Sequence, residues 1–81
     1  MERHWSAWLR IIDPDSGEMF FDCEHVGGDG GWNWFASSSV NSFHSSTDDE
    51  LFNAASWVYR EHPSADVIGF LADDFLEWWK D

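Results

Sequence analysis

Basic residues are scarce in this 81-residue chain: three arginines and one lysine stand against sixteen aspartates and glutamates, a formal charge of −12. Nucleic-acid binding rests on Lys and Arg displacing counterions from phosphate, so direct binding of DNA or of an anionic membrane surface is excluded as an expectation. The single cysteine, Cys23, cannot form an intrachain disulfide. No apolar run is long enough to span a bilayer, and residues 1–20 lack a basic start followed by an apolar stretch, so a cytoplasmic protein is expected. Only two prolines occur, no Pro/Ser linker divides the chain, and no internal repeat is visible, so residues 1–81 read as one domain.

Aromatic residues are abundant instead. Seven Trp, seven Phe and one Tyr make up 19% of the chain, and a domain this small needs such dense apolar material to form a core. Residues 5–12 alternate, with Trp5, Ala7, Leu9 and Ile11 on one face and Ser6, Trp8, Arg10 and Ile12 on the other, the period of a strand. Asp13-Pro14-Asp15-Ser16-Gly17 concentrates turn formers, which predicts a hairpin. Residues 18–26 alternate again, setting Met19, Phe21 and Cys23 against Glu18, Phe20, Asp22 and Glu24. After the glycine-rich connection 27–31, Trp32-Asn33-Trp34-Phe35-Ala36 restarts the two-residue period as a third antiparallel strand. The serine-rich stretch 37–46 fits either a continued strand or an extended loop.

Thr47-Asp48-Asp49-Glu50 is a capping box, and Leu51, Phe52, Ala55, Val58 and Tyr59 follow on one helical face. Pro63 makes His62 the expected end of that helix. Ser64 is positioned to cap a second helix in which Val67, Ile68, Leu71, Phe75, Trp78 and Trp79 share a face, although Gly69 disfavours it and leaves a strand at residues 67–71 open. The resulting expectation is an α+β fold, a three-stranded antiparallel sheet packed on two C-terminal helices in the order βββαα.

Residue types and spacings that catalysis requires are weakly represented. Cys23 lies between Asp22 and Glu24, which oppose thiolate formation, and its alternation points it into the core. Cys23 with His25, plus His44 or His62, lacks the second closely spaced pair of a zinc site. Residues 13–24 resemble a calcium loop in outline, but Glu18 occupies the position of the turn glycine. Residues 27–31 lack the lysine of a phosphate loop, and the serines have no aligned histidine and acid. The expectation is a protein without enzymatic activity, cofactor or metal.

The distribution of charge and aromatics is more informative. Residues 1–44 carry seven carboxylates and two arginines, and residues 45–81 carry nine carboxylates with Arg60 and Lys80, so both halves are acidic. On a second helix, Asp66, Asp73, Glu77 and Asp81 would form a stripe within about 80°, with steps of roughly 6 to 10 Å. A globule of this length spans ~30 Å, over which duplex DNA carries about 18 charges, within a factor of two of the charge here. Trp57 falls on the polar side of the first helix, among Glu50, Asn53, Arg60 and Glu61, where either another segment covers it or it anchors an interface. Trp8, Ile12, Phe20 and Phe35 would share the open sheet face with Arg10, Asp22 and Glu24, a surface that also fits closure on a second copy.

In size, acidity and element order, with strands at residues 5–12, 18–26 and 32–36 followed by helices opening at Thr47 and Ser64, the chain resembles phage anti-CRISPR proteins that inhibit type I Cascade complexes. The resemblance implies a stoichiometric inhibitor in the cytoplasm of an infected bacterium, an acidic mimic of double-stranded DNA. It implies a basic nucleic-acid-binding partner, a Cascade subunit, whose DNA-binding channel would be met by Asp48, Asp49, Glu50, Trp57, Asp66, Asp73, Asp74, Glu77 and Asp81. The alternative from the residues alone is an acidic adaptor module that binds a partner through exposed aromatics.

Overall fold

Asp13 organises the first turn. Its Oδ1 accepts from the amides of Asp15 at 2.7 Å and Ser16 at 3.2 Å, and Gly17 adopts φ +80°, closing the hairpin between β1 (Trp8–Ile12) and β2 (Met19–His25). The computed structural model describes residues 7–25, 30–37 and 42–80. β3 (Trp32–Ala36) pairs antiparallel with β2, and β4 (Ser42–Ser45) pairs antiparallel with β3, so the serine-rich stretch does return as a short strand. After α1 (Asp48–Glu61) the chain crosses to the other edge, where β5 (Asp66–Gly69) pairs antiparallel with β1, and α2 (Ala72–Lys80) follows. The sheet order is β4-β3-β2-β1-β5.

The α+β class and the antiparallel sheet agree with the sequence, but the sheet has five strands rather than three, and the order βββαα is corrected to ββββαβα. β5 lies between the two helices, so they are not consecutive C-terminal elements. Ser64 sits in a turn and caps no helix. What turns residues 66–69 into a strand is the free side of β1: Arg10 lies opposite Ile68 and Ile11 opposite Val67, and the Leu71 amide donates to the Trp8 carbonyl at 3.1 Å. Gly69 takes φ +123° with the Trp8 backbone and indole against it, and a Cβ there would fall 2.5 Å from the Trp8 carbonyl oxygen.

One sheet face carries Leu9, Ile11, Phe21, Cys23, Trp32 and Ala36, all buried beneath Leu51, Phe52, Ala55 and Val58 of α1 and Phe75 of α2. Phe75 is fully buried and meets Phe52 at 5.5 Å between ring centroids, joining the two helices over the sheet. The expected alternation of β2 breaks at its start. Ile11 lies opposite Phe21 but Ile12 lies opposite Met19, so Phe20 has no partner on β1. This bulge exposes Met19, assigned above to the core, and buries Phe20, assigned above to the open face, where it stacks on His62 at 3.7 Å.

The capping box of α1 forms with a one-residue offset. Thr47 Oγ1 accepts from the Glu50 amide at 3.2 Å, while Glu50 Oε1 accepts from the Ser46 amide at 2.9 Å. His62 closes the helix as expected, its amide donating to the carbonyls of Val58 and Tyr59.

Candidate functional site

The helix starts gather five of the thirteen described carboxylates. β4 ends at Ser45, opposite Trp32, and β5 ends at Gly69, opposite Leu9 and two rows away in the same register. Both helices therefore open at the same end of the sheet. Asp48, Asp49 and Glu50 occupy the first turn of α1, and Asp73 and Asp74 the first turn of α2, five carboxylates along one rim. Their two groups follow the opposite edge strands, about four strand spacings or ~19 Å apart. Part of this acidity serves the helices, whose N-terminal amides favour negative charge.

The five are not equivalent. Asp48 Oδ1 accepts from the Trp32 indole at 2.8 Å, and one oxygen of Glu50 is held by the Ser46 amide. Among the described residues no hydrogen bond or ion pair engages the side chains of Asp49, Asp73 or Asp74, which leaves these three free to meet a partner. Two ion pairs are present among the described residues: Arg10 with Asp22 at 3.0 Å and Lys80 with Glu77 at 3.7 Å. Both are exposed and neutralise little of the total charge.

The stripe assigned to a second helix is not assembled. Asp66 lies on β5 opposite Ile12, at the far end of the strand from Asp73, and not on α2. Asp73 and Glu77 do share α2, one turn apart. Asp81 lies outside the described residues, as do residues 27–29 of the Gly-rich connection 27–31.

Trp57 is 66% exposed, so no described segment covers it. The Arg60 guanidinium lies 5.8 Å from its ring centroid and 5.6 Å from that of Trp79, bridging the indoles of the two helices. Beside Trp57 opens a groove of about 470 Å³ that sequence periodicity does not reveal. Trp34 and Ala36 of β3 and Phe43 of β4 form its floor, and Ala54, Trp57 and Val58 of α1 form its wall. Phe43 stacks on Trp34 at 4.5 Å yet stays 38% exposed. The signal was a phenylalanine in an otherwise polar stretch, but its neighbour across the groove is fourteen residues away on another element.

The open sheet face carries Trp8, Ile12 and Phe35, as expected, with Met19 and Ile68 added by the bulge and by β5. Arg10 stands among them, bound to Asp22 and placed over the Trp8 ring at 4.9 Å.

Burial pushes the Cys23 thiol up to about 12, opposed by a backbone hydrogen bond from Leu9 and reinforced by the Asp22 and Glu24 charges. The flanking carboxylates emphasised by the sequence are thus the lesser cause. His44 Nε2 contacts the Gly30 carbonyl and His62 stacks on Phe20, so neither approaches Cys23. Among the described residues no three His, Cys, Asp or Glu side chains cluster in a way that could hold a metal ion, and no helix is long and apolar enough to cross a membrane. No protein-family model, curated protein or solved structure matches the chain.

Proposed function

We propose that this protein is a non-enzymatic, stoichiometric inhibitor that acts as an acidic mimic of double-stranded DNA and occupies the basic DNA-binding channel of a type I Cascade complex. The observation that carries the reading is the acidic rim, in which Asp49, Asp73 and Asp74 meet no cation among the described residues while Arg10 and Lys80 are engaged elsewhere. Capping accounts for carboxylates at helix starts but not for a net charge of −12 on 81 residues, which exceeds what solubility of a small domain requires. A basic channel supplies the missing countercharge, and its lysines and arginines gain the contacts that phosphates otherwise provide. Asp66 and Glu77 extend the acidic surface beyond the rim, and Asp48 and Glu50 contribute with their remaining oxygens.

The test is to mix the purified protein with a type I Cascade complex and measure target-DNA binding at low and moderate salt. Loss of DNA binding that added salt relieves supports mimicry. Undiminished DNA binding at both salt concentrations rejects this target.

The exposed apolar surface of the sheet and of the α1 groove favours a second reading, an acidic adaptor module that holds its partner mainly through aromatics. Its binding resists salt, which separates it from mimicry.

A further inference from the structure

We infer that β4 is an interface for a second copy of this chain, whose own β4 adds antiparallel to it about a two-fold axis and continues the sheet. The inference goes beyond the proposed function and does not depend on it. β4 is one edge of the sheet, and among the described residues no strand pairs with its outer side. Edge strands are commonly protected from such pairing by charge, proline or a bulge. The opposite edge, β5, carries Asp66 and ends at Gly69 with φ +123°. β4 reads Ser-Phe-His-Ser and pairs with β3 in unbroken register, so it has none of these devices.

Charge selects the occupant. Residues 30–47 are eighteen consecutive positions without Asp, Glu, Lys or Arg, twice the length of the next uncharged run, residues 51–59. They supply β3, β4 and the N-cap of α1. A basic partner is drawn to the carboxylates of the rim and gains nothing at this edge. Two copies of a chain with charge −12, by contrast, approach with least repulsion where neither presents a carboxylate. An uncharged edge matches itself, the condition for an isologous contact.

The rings give the register. Phe21 of β2 stacks on Trp34 of β3 at 5.6 Å, and Trp34 stacks on Phe43 of β4 at 4.5 Å. This ladder ends at the sheet edge with Phe43 still 38% exposed. Directly opposed residues share a sheet face, so a two-fold axis between identical antiparallel strands is centred on a residue and not between two. Centred on Phe43, it sets the two Phe43 rings side by side, carries the ladder into the second copy and places Ser42 opposite His44 of the other copy. Centred on His44, it sets Phe43 opposite Ser45 and leaves the ladder broken. A four-residue edge buries little area, so the association is weak and is read at high protein concentration.

The test is sedimentation equilibrium of the full chain from about 10 µM to about 1 mM, at about 0.05 and about 0.5 M NaCl. A monomer–dimer equilibrium is expected, with a Kd at least about threefold lower at the higher salt, because screening relieves the repulsion between the two copies. Cascade inhibition has the opposite salt dependence. Phe43→Lys and Ser42→Lys should each weaken the dimer at least about tenfold, although each makes the chain less negative. Ser42 is exposed, so Ser42→Lys keeps the wild-type thermal melt and decides the matter if Phe43→Lys does not fold. Ile68→Lys, on the open sheet face, should leave the dimer unchanged. In a mixture of labelled and unlabelled protein, isotope-filtered NOEs should connect the Phe43 rings of the two copies. A monomer up to about 1 mM at both salt concentrations overturns the inference. So does a dimer that Ser42→Lys leaves intact, or one that Ile68→Lys abolishes, since the contact then lies on the open face. A dimer that leaves Cascade unaffected supports the interface and rejects the proposed target, and a Cascade inhibitor that stays monomeric does the reverse.

Discussion

The Trp32 indole donates to Asp48 Oδ1 at 2.8 Å, tying β3 to the first turn of α1. The bond gives Asp48 a structural role that its neighbour Asp49, equally acidic and equally early in the helix, does not have. Replacing Asp48 with alanine leaves the part-buried indole N–H without its acceptor and should cost about 1–3 kcal/mol, whereas Asp49→Ala should cost under about 1 kcal/mol. Urea denaturation of the two variants checks this. Equal losses would mean that the indole bond contributes nothing beyond the helix-dipole effect.

Gly69→Ala should destabilise the fold by at least about 1–3 kcal/mol, because φ +123° is strained for any other residue and a Cβ meets the Trp8 carbonyl. The damage should be local to the β1–β5 pairing, read as faster amide exchange at Leu71, whose amide bonds to Trp8. An unchanged denaturation midpoint would contradict the tight approach of β5 to Trp8.

Those two contacts also mark how far the fold could be read from the sequence. The β1–β2 hairpin and α1 were legible because their signals are local: Asp13 and Gly17 at the turn, Thr47 and Glu50 at the cap, Pro63 after the end. β5 was not, because Val67, Ile68, Leu71 and Phe75 fit a helical period as well as a strand, and the deciding partner, the free side of β1, is more than fifty residues earlier. The bulge that inverts Met19 and Phe20 likewise depends on pairing with Ile12 and leaves no trace in the alternation. For the candidate site, the carboxylates at residues 48–50 were legible as a helix opening, whereas those at 73–74 were not, because the second helix was expected to open at Ser64 and opens instead at Ala72. Their shared rim was not legible either, since it follows from two helices starting at the same end of the sheet.

The Cys23 thiol should make stability fall in alkali. Its native value of about 12 lies above the ordinary 9.0, so the stabilisation is complete below about pH 9 and is lost as pH rises toward 12, where the native thiol ionises too. Between pH 8 and pH 10 the wild type should lose about 1.4 kcal/mol more than Cys23→Ala, measured by urea denaturation at both pH values. Parallel losses in the two proteins would show that the thiol is not protected by burial.

Trp57→Ala should leave the melting temperature within about 2 °C of the wild type, because the side chain is largely exposed and its removal opens no core cavity. Binding to the partner should weaken by at least about tenfold. A large fall in melting temperature with unaltered binding would make Trp57 a structural residue.

The most direct test of the central claim is the salt dependence of Cascade inhibition by the wild type and by a triple variant, Asp49→Asn with Asp73→Asn and Asp74→Asn. Capping and core contacts are untouched by these changes. The account predicts that the wild type blocks target-DNA binding at a one-to-one ratio, that inhibition weakens steeply as salt rises, and that the variant inhibits more weakly with a shallower dependence. Wild-type inhibition that salt does not change, or a variant that inhibits as well as the wild type, would contradict it.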